Sequence, residues 1–158
     1  MDPSQLVATF NSLPCRPLAP SGNVANHWHI SVRHVPLNPP GNVLFILNPA
    51  ARYVHVEGPL PASAANAPMS VKAATSALLL LKAFNNALGN QGMDEAKLRP
   101  WTWACNDAEL AGALGETLRT MGVTAPEGVS VAEEGDNTIA DEEWGRYIGK
   151  LQEMMGDT

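Results

Sequence analysis

The sequence predicts a single α+β domain, residues 1–158, built on a mixed β-sheet with helices mainly on one face. Three observations lead to this prediction. Strand-like apolar runs come early in the chain, long apolar stripes at helical spacing follow them, and short strand-like runs separate these stripes. The predicted order is βββ-α-β-α-β-α, an antiparallel three-strand meander followed by alternating helices and strands. The length suits one domain with a core of its own.

The first 26 residues are predicted to be partly extended. Apolar residues at helical spacing indicate a short helix over residues 3–13, and the Pro-rich stretch over residues 14–26 indicates a linker. The apolar positions of this helix are Leu6, Val7, Phe10 and Leu13.

The three strands of the meander are predicted from their apolar patterns. Residues 27–35 and 52–57 alternate between apolar and polar, and residues 43–47 form a continuous apolar run that is typical of a strand buried on both faces. The short links between them favour antiparallel hairpins. Alternation predicts an inward set of side chains and an outer, solvated set. The inward set is Trp28, Ile30, Val32, Val54 and Val56; the outer set is His27, His29, Ser31, Arg33, Tyr53, His55 and Glu57.

The elements after the meander are predicted from caps and stripes. Ser70 has the character of an N-cap and precedes a long apolar stripe, which predicts a helix that ends near Gly89. A strand over residues 101–105 leads into a second helix. Asp107 lies at the start of that helix, close to a capping box, and Gly122 is its predicted C-cap.

The C-terminal region is predicted to hold one more strand and one more helix. Residues 129–132 form a short apolar run, and Asn137 or Thr138 is expected to cap the last helix. Glu142 and Arg146 are predicted to form an i,i+4 ion pair on the wet face of this helix.

The charge distribution argues against nucleic acid as a partner. Residues 1–100 carry seven Lys/Arg and four Asp/Glu, whereas residues 101–158 carry three and twelve. Nucleic-acid binding relies on clustered Lys and Arg that neutralise phosphates, and the sequence has no basic stripe.

Cysteine content and hydropathy indicate a cytoplasmic or nuclear protein without a membrane partner. Cys15 and Cys105 are far apart and match no metal-ligand spacing, so free thiols in a reducing compartment are expected. The longest apolar block, residues 77–81, is far shorter than the roughly 20 residues that span a membrane. We find no signal-type apolar run near the start of the chain.

The histidines are the first candidates for metal ligands. His27 and His29 share a strand face, and His55 with Glu57 lies two strands away. Two strands are about 10 Å apart, which is too far for one metal ion unless the sheet coils strongly. The sequence therefore predicts no metal site. It also lacks the GxGxxG and GxxxxGK[ST] motifs, and no cofactor is predicted.

The outer strand face is predicted to bind a protein partner or a second copy of the chain. Its histidines and tyrosine are amphipathic, and its arginine adds a planar donor, as is common at protein interfaces. One leucine on the outer side of the long helix is a possible second contact. The predicted partner-binding residues are His27, His29, Arg33, Tyr53, His55 and Leu79.

An enzyme or ligand-binding protein is the alternative. It would use His27, His29 or His55 as an acid or base in a pocket between the sheet and residues 58–68. Cys105, placed between a strand and a helix start, is the alternative nucleophile. Since no His–Asp pair is tied to that cysteine, the sequence favours a non-catalytic interaction or self-assembly domain.

The C-terminal third carries a resemblance to a known family. Its residues are Pro100-Trp101-Thr102-Trp103-Ala104-Cys105-Asn106-Asp107 with Leu110 and Leu114, and Ile139-Ala140-Asp141-Glu142-Glu143-Trp144 near the end. This region resembles a poorly characterised domain of fungal proteins that often neighbours MYND-type zinc fingers. Two cysteines cannot build the zinc finger itself. The resemblance implies an interaction or regulatory module and assigns no catalytic residues.

Overall fold

The computed structural model describes residues 2–18, 25–35, 41–60, 68–89, 98–125, 129–133 and 137–156. Within these ranges it has four α-helices, five strands and a 3₁₀ turn, Ala87–Gly89. The elements are α1 (Pro3–Ser12), β1 (His27–Val35), β2 (Gly41–Asn48), β3 (Tyr53–Glu57), α2 (Met69–Asn85), β4 (Thr102–Cys105), α3 (Ala108–Met121), β5 (Val131–Glu133) and α4 (Thr138–Gly156). The predicted order of elements is confirmed.

The five strands form one mixed sheet in the order β3-β2-β1-β4-β5. The meander is antiparallel, as predicted, because β1 pairs with β2 and β2 pairs with β3 in that sense. The later strands are parallel additions: β4 pairs with β1, and β5 pairs with β4. β1 is therefore the centre of the sheet, and β3 and β5 are its two edges.

Two helices begin with the side-chain caps that their sequences favour. In α1, the Asp2 carboxylate accepts from the Gln5 N–H at 2.9 Å and the Gln5 side chain accepts from the Asp2 N–H, which completes a capping box. In α3, Asp107 accepts from the N–H groups of the first turn, and Gly122 ends the helix at φ +97°. Only glycine adopts that backbone conformation without strain.

The predicted start of α2 is wrong by two residues. The helix begins at Met69 after Pro68, which makes no side-chain cap, and Ser70 already lies inside the first turn. The carbonyl of Pro68 accepts from the Val71 N–H at 3.0 Å, so the turn closes without a hydroxyl. The helix ends at Asn85, and the 3₁₀ turn that follows extends to Gly89, the predicted end.

The main core lies between one sheet face and three helices, α1, α2 and α3. Phe84 of α2 is at its centre: its ring meets Phe10 of α1 at 6.2 Å and Trp28 of β1 at 5.3 Å, both edge to face. Edge-to-face contact aligns the positive ring edge with the negative face of the neighbour. This arrangement confirms that the helices lie mainly on one face.

The opposite sheet face is covered by α4, and the prediction of a solvated outer face is wrong there. Phe45 and Leu47 of β2 are fully buried on this side, together with Ala140 of α4. Trp144 closes the contact, with its ring 5.3 Å from that of Phe45. The continuous apolar run of β2 supplies both faces at once, which is why it lacks alternation.

Candidate functional site

The predicted partner-binding residues do not share one face of the sheet. In the observed register Ile46 of β2 lies opposite both Ile30 of β1 and His55 of β3. Residues opposite one another across strands point to the same face. His55 and its neighbour Tyr53 two residues away are therefore on the main-core face.

The three remaining strand residues of the predicted set lie on the α4 face; they are His27, His29 and Arg33. Leu47 lies opposite both His29 of β1 and Val54 of β3, so the valines of β3 point the same way as His29. The prediction that Val54 and Val56 point inward with Trp28 is wrong. A shift of one residue in register exchanges the two faces of a strand, and the alternation within each strand does not fix it.

His29 and His27 do not form an exposed pair. His29 is 1 % exposed on the central strand. His27 is half-buried, and its Nδ1 is 2.7 Å from the Thr102 hydroxyl of β4. Among the described residues, no group of three or more His, Cys, Asp or Glu side chains could hold a metal ion.

Arg33 attaches α4 to the sheet. Its Nη1 donates to Asp141 at 3.0 Å, and its Nε donates to Ser31 at 2.8 Å. The guanidinium lies over the rings of Phe45 and Trp144, 5.2 and 5.8 Å from their centroids. Such stacking adds a cation–π attraction to the ion pair. With 11 % of its side chain exposed, Arg33 contacts its own chain rather than presenting a donor to solvent.

A second arginine holds the same helix at the turn between β2 and β3. Arg52 pairs with Glu142 at 3.1 Å and with Glu143 at 3.3 Å, and these hydrogen bonds raise the pKa of the guanidinium. Arg146 pairs with the buried Glu143 at 3.1 Å. The predicted pair between Glu142 and Arg146 is replaced, because Arg52 approaches from outside the helix. No local spacing signals this contact.

Two more of the predicted residues contact the main core. Leu79 is half-buried and packs against it from α2. The Tyr53 hydroxyl donates to the Leu88 carbonyl at 2.8 Å, and its ring meets Trp28 edge to face at 6.4 Å. Both side chains therefore have structural contacts within the chain.

The outer edge of β3 is the candidate interaction site. β3 ends the sheet, and in the described part of the chain the backbone from Val54 to Glu57 pairs with β2 alone. His55 and Glu57 lie on one face of this strand with Nε2 and Oε1 2.7 Å apart. Their side chains are 18 % and 24 % exposed, so this hydrogen-bonded pair reaches solvent at the sheet edge.

Cys105 does not have the surroundings of a nucleophile. It is fully buried at the end of β4, and burial raises the pKa of its thiol. A raised pKa keeps the thiol protonated at neutral pH, whereas a nucleophilic cysteine needs its thiolate.

We expect Cys105 to react with Ellman's reagent only when the domain unfolds. In a Cys15→Ser variant, which leaves one thiol, the native reaction should be at least about tenfold slower than in urea. The folded state favours the protonated thiol. When the pH rises above the ordinary thiol pKa of about 8.5, Cys105 therefore loses its proton more readily in the unfolded chain than in the folded one. The free energy of unfolding should fall as the pH rises further. Fast stoichiometric labelling of the native variant at neutral pH would contradict this assignment.

A pocket of about 340 Å³ lies elsewhere, between α2 and α3, and none of the predicted site residues lines it. Its lining is Ser70, Ala113, Glu116, Thr117, Thr120 and Met121. The pocket predicted beside residues 58–68 depends on residues 61–67, which lie outside the described ranges. None of the helices in the described ranges is both long and apolar enough to cross a membrane.

Comparison with known protein families, curated proteins and solved structures finds no match for this chain. The resemblance of its C-terminal third to a fungal domain stays a prediction.

Proposed function

We propose that this chain is a non-catalytic protein-interaction domain that binds an extended segment by adding it as a sixth strand beside β3. The observation that carries the proposal is the outer edge of β3, where the described backbone from Val54 to Glu57 has no pairing strand other than β2. An edge strand presents N–H and C=O groups that an incoming strand can satisfy.

β3 is better suited to this role than the other edge. It has five residues, whereas β5 has three. A longer edge offers more backbone hydrogen bonds and more side-chain positions to a partner strand. Val54 and Val56 supply an apolar side toward α4, and His55 with Glu57 supplies a polar side, so both faces of an added strand meet distinct chemistry.

The arrangement of the reactive side chains supports a non-catalytic role. His29 and His55 are on opposite sheet faces, and Cys105 is buried with a raised pKa. A catalytic site needs such groups within hydrogen-bond reach of one reacting centre. This spacing favours the interaction domain over the alternative of a small enzyme or ligand-binding protein.

We place the domain in the cytoplasm or nucleus, with a protein or a second copy as partner and neither nucleic acid nor membrane. Cys15 and Cys105 are free thiols, which suits a reducing compartment. The acidic character of residues 101–158 disfavours phosphate backbones. The resemblance to the fungal domain supports an interaction role as well.

Strand addition predicts a local response to a peptide that copies residues 52–58. In a titration of the labelled full chain, kept dilute enough to be monomeric, amide chemical shifts should change in β3 and β2 and stay constant in β5, because only the β3 edge gains a pairing strand. The control peptide has proline at the positions of Val54 and Val56, which removes two backbone donors. Shift changes with both peptides, changes centred on β5, or none at millimolar peptide would each contradict the proposal.

A further inference from the structure

We infer that the strand added to β3 is β3 of a second copy, in an antiparallel register that sets His55 of each copy opposite Glu57 of the other. The inference rests on the proposed function, since it names the partner and the register at that edge. The observation behind it is that one strand carries an imidazole and a carboxylate on the same face, with Nε2 and Oε1 2.7 Å apart.

Symmetry leaves few registers to compare. When two copies join edge to edge in one continuous sheet, the two-fold axis is perpendicular to the sheet and each face continues into the same face of the partner. Residues that lie opposite must then share a face, so the axis passes a residue that lies opposite itself. Within β3 the central choices are Val54, His55 and Val56.

Only the register centred on Val56 sets the imidazole of each copy opposite the carboxylate of the other. It places His55 opposite Glu57 twice, once on each side of the axis, and Val56 against itself. Each imidazole then lies between two carboxylates, its own and that of the other copy. An imidazole N–H donates a hydrogen bond to a carboxylate, and cross-strand hydrogen-bonding pairs at directly facing positions stabilise antiparallel strands, whereas like charges destabilise them.

The two other registers lack this complementarity. Centring on His55 sets the two imidazoles against each other and sets Glu57 against Tyr53, whose hydroxyl already donates to the Leu88 carbonyl. Centring on Val54 sets His55 against Tyr53 and leaves Glu57 opposite Ala51, beyond the end of the strand. The Val56 register has a shorter overlap of strand residues, and it alone sets both imidazoles opposite carboxylates.

A charge exchange between copies tests the register. Sedimentation equilibrium of the full chain should show a dimer. His55→Glu and Glu57→Lys should each raise the dimer dissociation constant about tenfold, which is about 1.4 kcal/mol. An equimolar mixture should regain the wild-type constant. In the mixed dimer the introduced carboxylate of one variant faces the introduced ammonium of the other, while an unaltered His55 faces an unaltered Glu57.

The control is Glu153→Lys, which changes the net charge as Glu57→Lys does at an exposed position of α4 and should leave the dimer intact. Thermal unfolding by circular dichroism verifies the fold of each variant. A dimer unaffected by both charge variants, or a mixture without recovery, overturns the register. A monomeric wild type overturns the second copy as the partner, and the peptide titration then decides separately whether strand addition stands. Masses above the dimer would indicate that β3 of one copy pairs with β5 of another, which would also overturn the inferred β3–β3 dimer.

Discussion

Replacing Phe84 with alanine is expected to lower the free energy of unfolding by about 3–5 kcal/mol, as for other buried phenylalanines. Phe84 is 1 % exposed, and its ring contacts aromatic rings from α1 and β1. The variant loses buried apolar area and two edge-to-face contacts, and it leaves a cavity that three elements line. Because the surrounding side chains are tightly packed, they do not move in to fill this cavity.

Urea unfolding followed by circular dichroism and tryptophan fluorescence measures this loss. The control is Val71→Ala on the same helix, where the side chain is 46 % exposed and a change within about 0.5 kcal/mol is expected. A loss of stability at Phe84 no larger than that of the control would show that Phe84 does not lie at the centre of the main core.

Asn26→Ala is expected to lower the free energy of unfolding by about 3 kcal/mol, because three groups, among them the buried Trp28 indole, lose a hydrogen-bond partner. Asn26 is 1 % exposed just before β1. Its Nδ2 donates to the carbonyls of Arg16 at 2.8 Å and Arg99 at 2.7 Å. Its Oδ1 accepts from the Trp28 indole N–H at 2.7 Å. One amide thus joins two distant stretches of chain to the central strand.

Asn26→Asp separates the donor from the acceptor contribution. The aspartate still accepts from the indole of Trp28 but cannot donate to the two carbonyls, so a substantial loss should remain. Asn86→Ala, at an exposed position after α2, is the control. Equal unfolding midpoints in urea for Asn26→Ala and Asn86→Ala would refute the bridging role.

Elements with local signals could be predicted from the sequence. α3 (Ala108–Met121) is capped by Asp107 and Gly122, and a carboxylate cap and a left-handed glycine act within a few residues of the helix end. The strands of the meander and their antiparallel pairing likewise follow from apolar alternation and short links. Periodicity is a property of one segment, so one segment is enough to reveal it.

Relations between segments could not be predicted in the same way. Val54 and His55 lie on the faces opposite to those predicted. The register between β2 and β3 decides which of the two alternating sets of β3 side chains faces the main core, and the alternation within β3 is compatible with either choice. The position of α4 was missed for a related reason. Asp141 and Glu143 pair with arginines from the sheet and the β2–β3 turn, and no spacing within α4 signals these contacts.

One of the predicted contact residues lies at the candidate site. His55 was predicted as a contact residue, and it lies at the β3 edge. Arg33 was predicted beside it, yet it lies under α4, since the arginine stem and plane suit a stacked position between two rings. The free edge itself has no sequence signal, because strand order depends on which segments pair across the whole chain.

The position of β1 between β2 and β4 has a consequence for how the chain folds. Its contact with β2 closes a short loop, whereas its contact with β4 must wait until the chain from Val35 to Thr102, with α2 included, has compacted. Short-range pairings form faster because less chain entropy is lost before the contact is made. The hairpins of the meander should therefore be the nucleus, and the parallel strands should join it late, with β5 last. Mutations in β5 should accordingly speed unfolding and leave the rate of refolding almost unchanged.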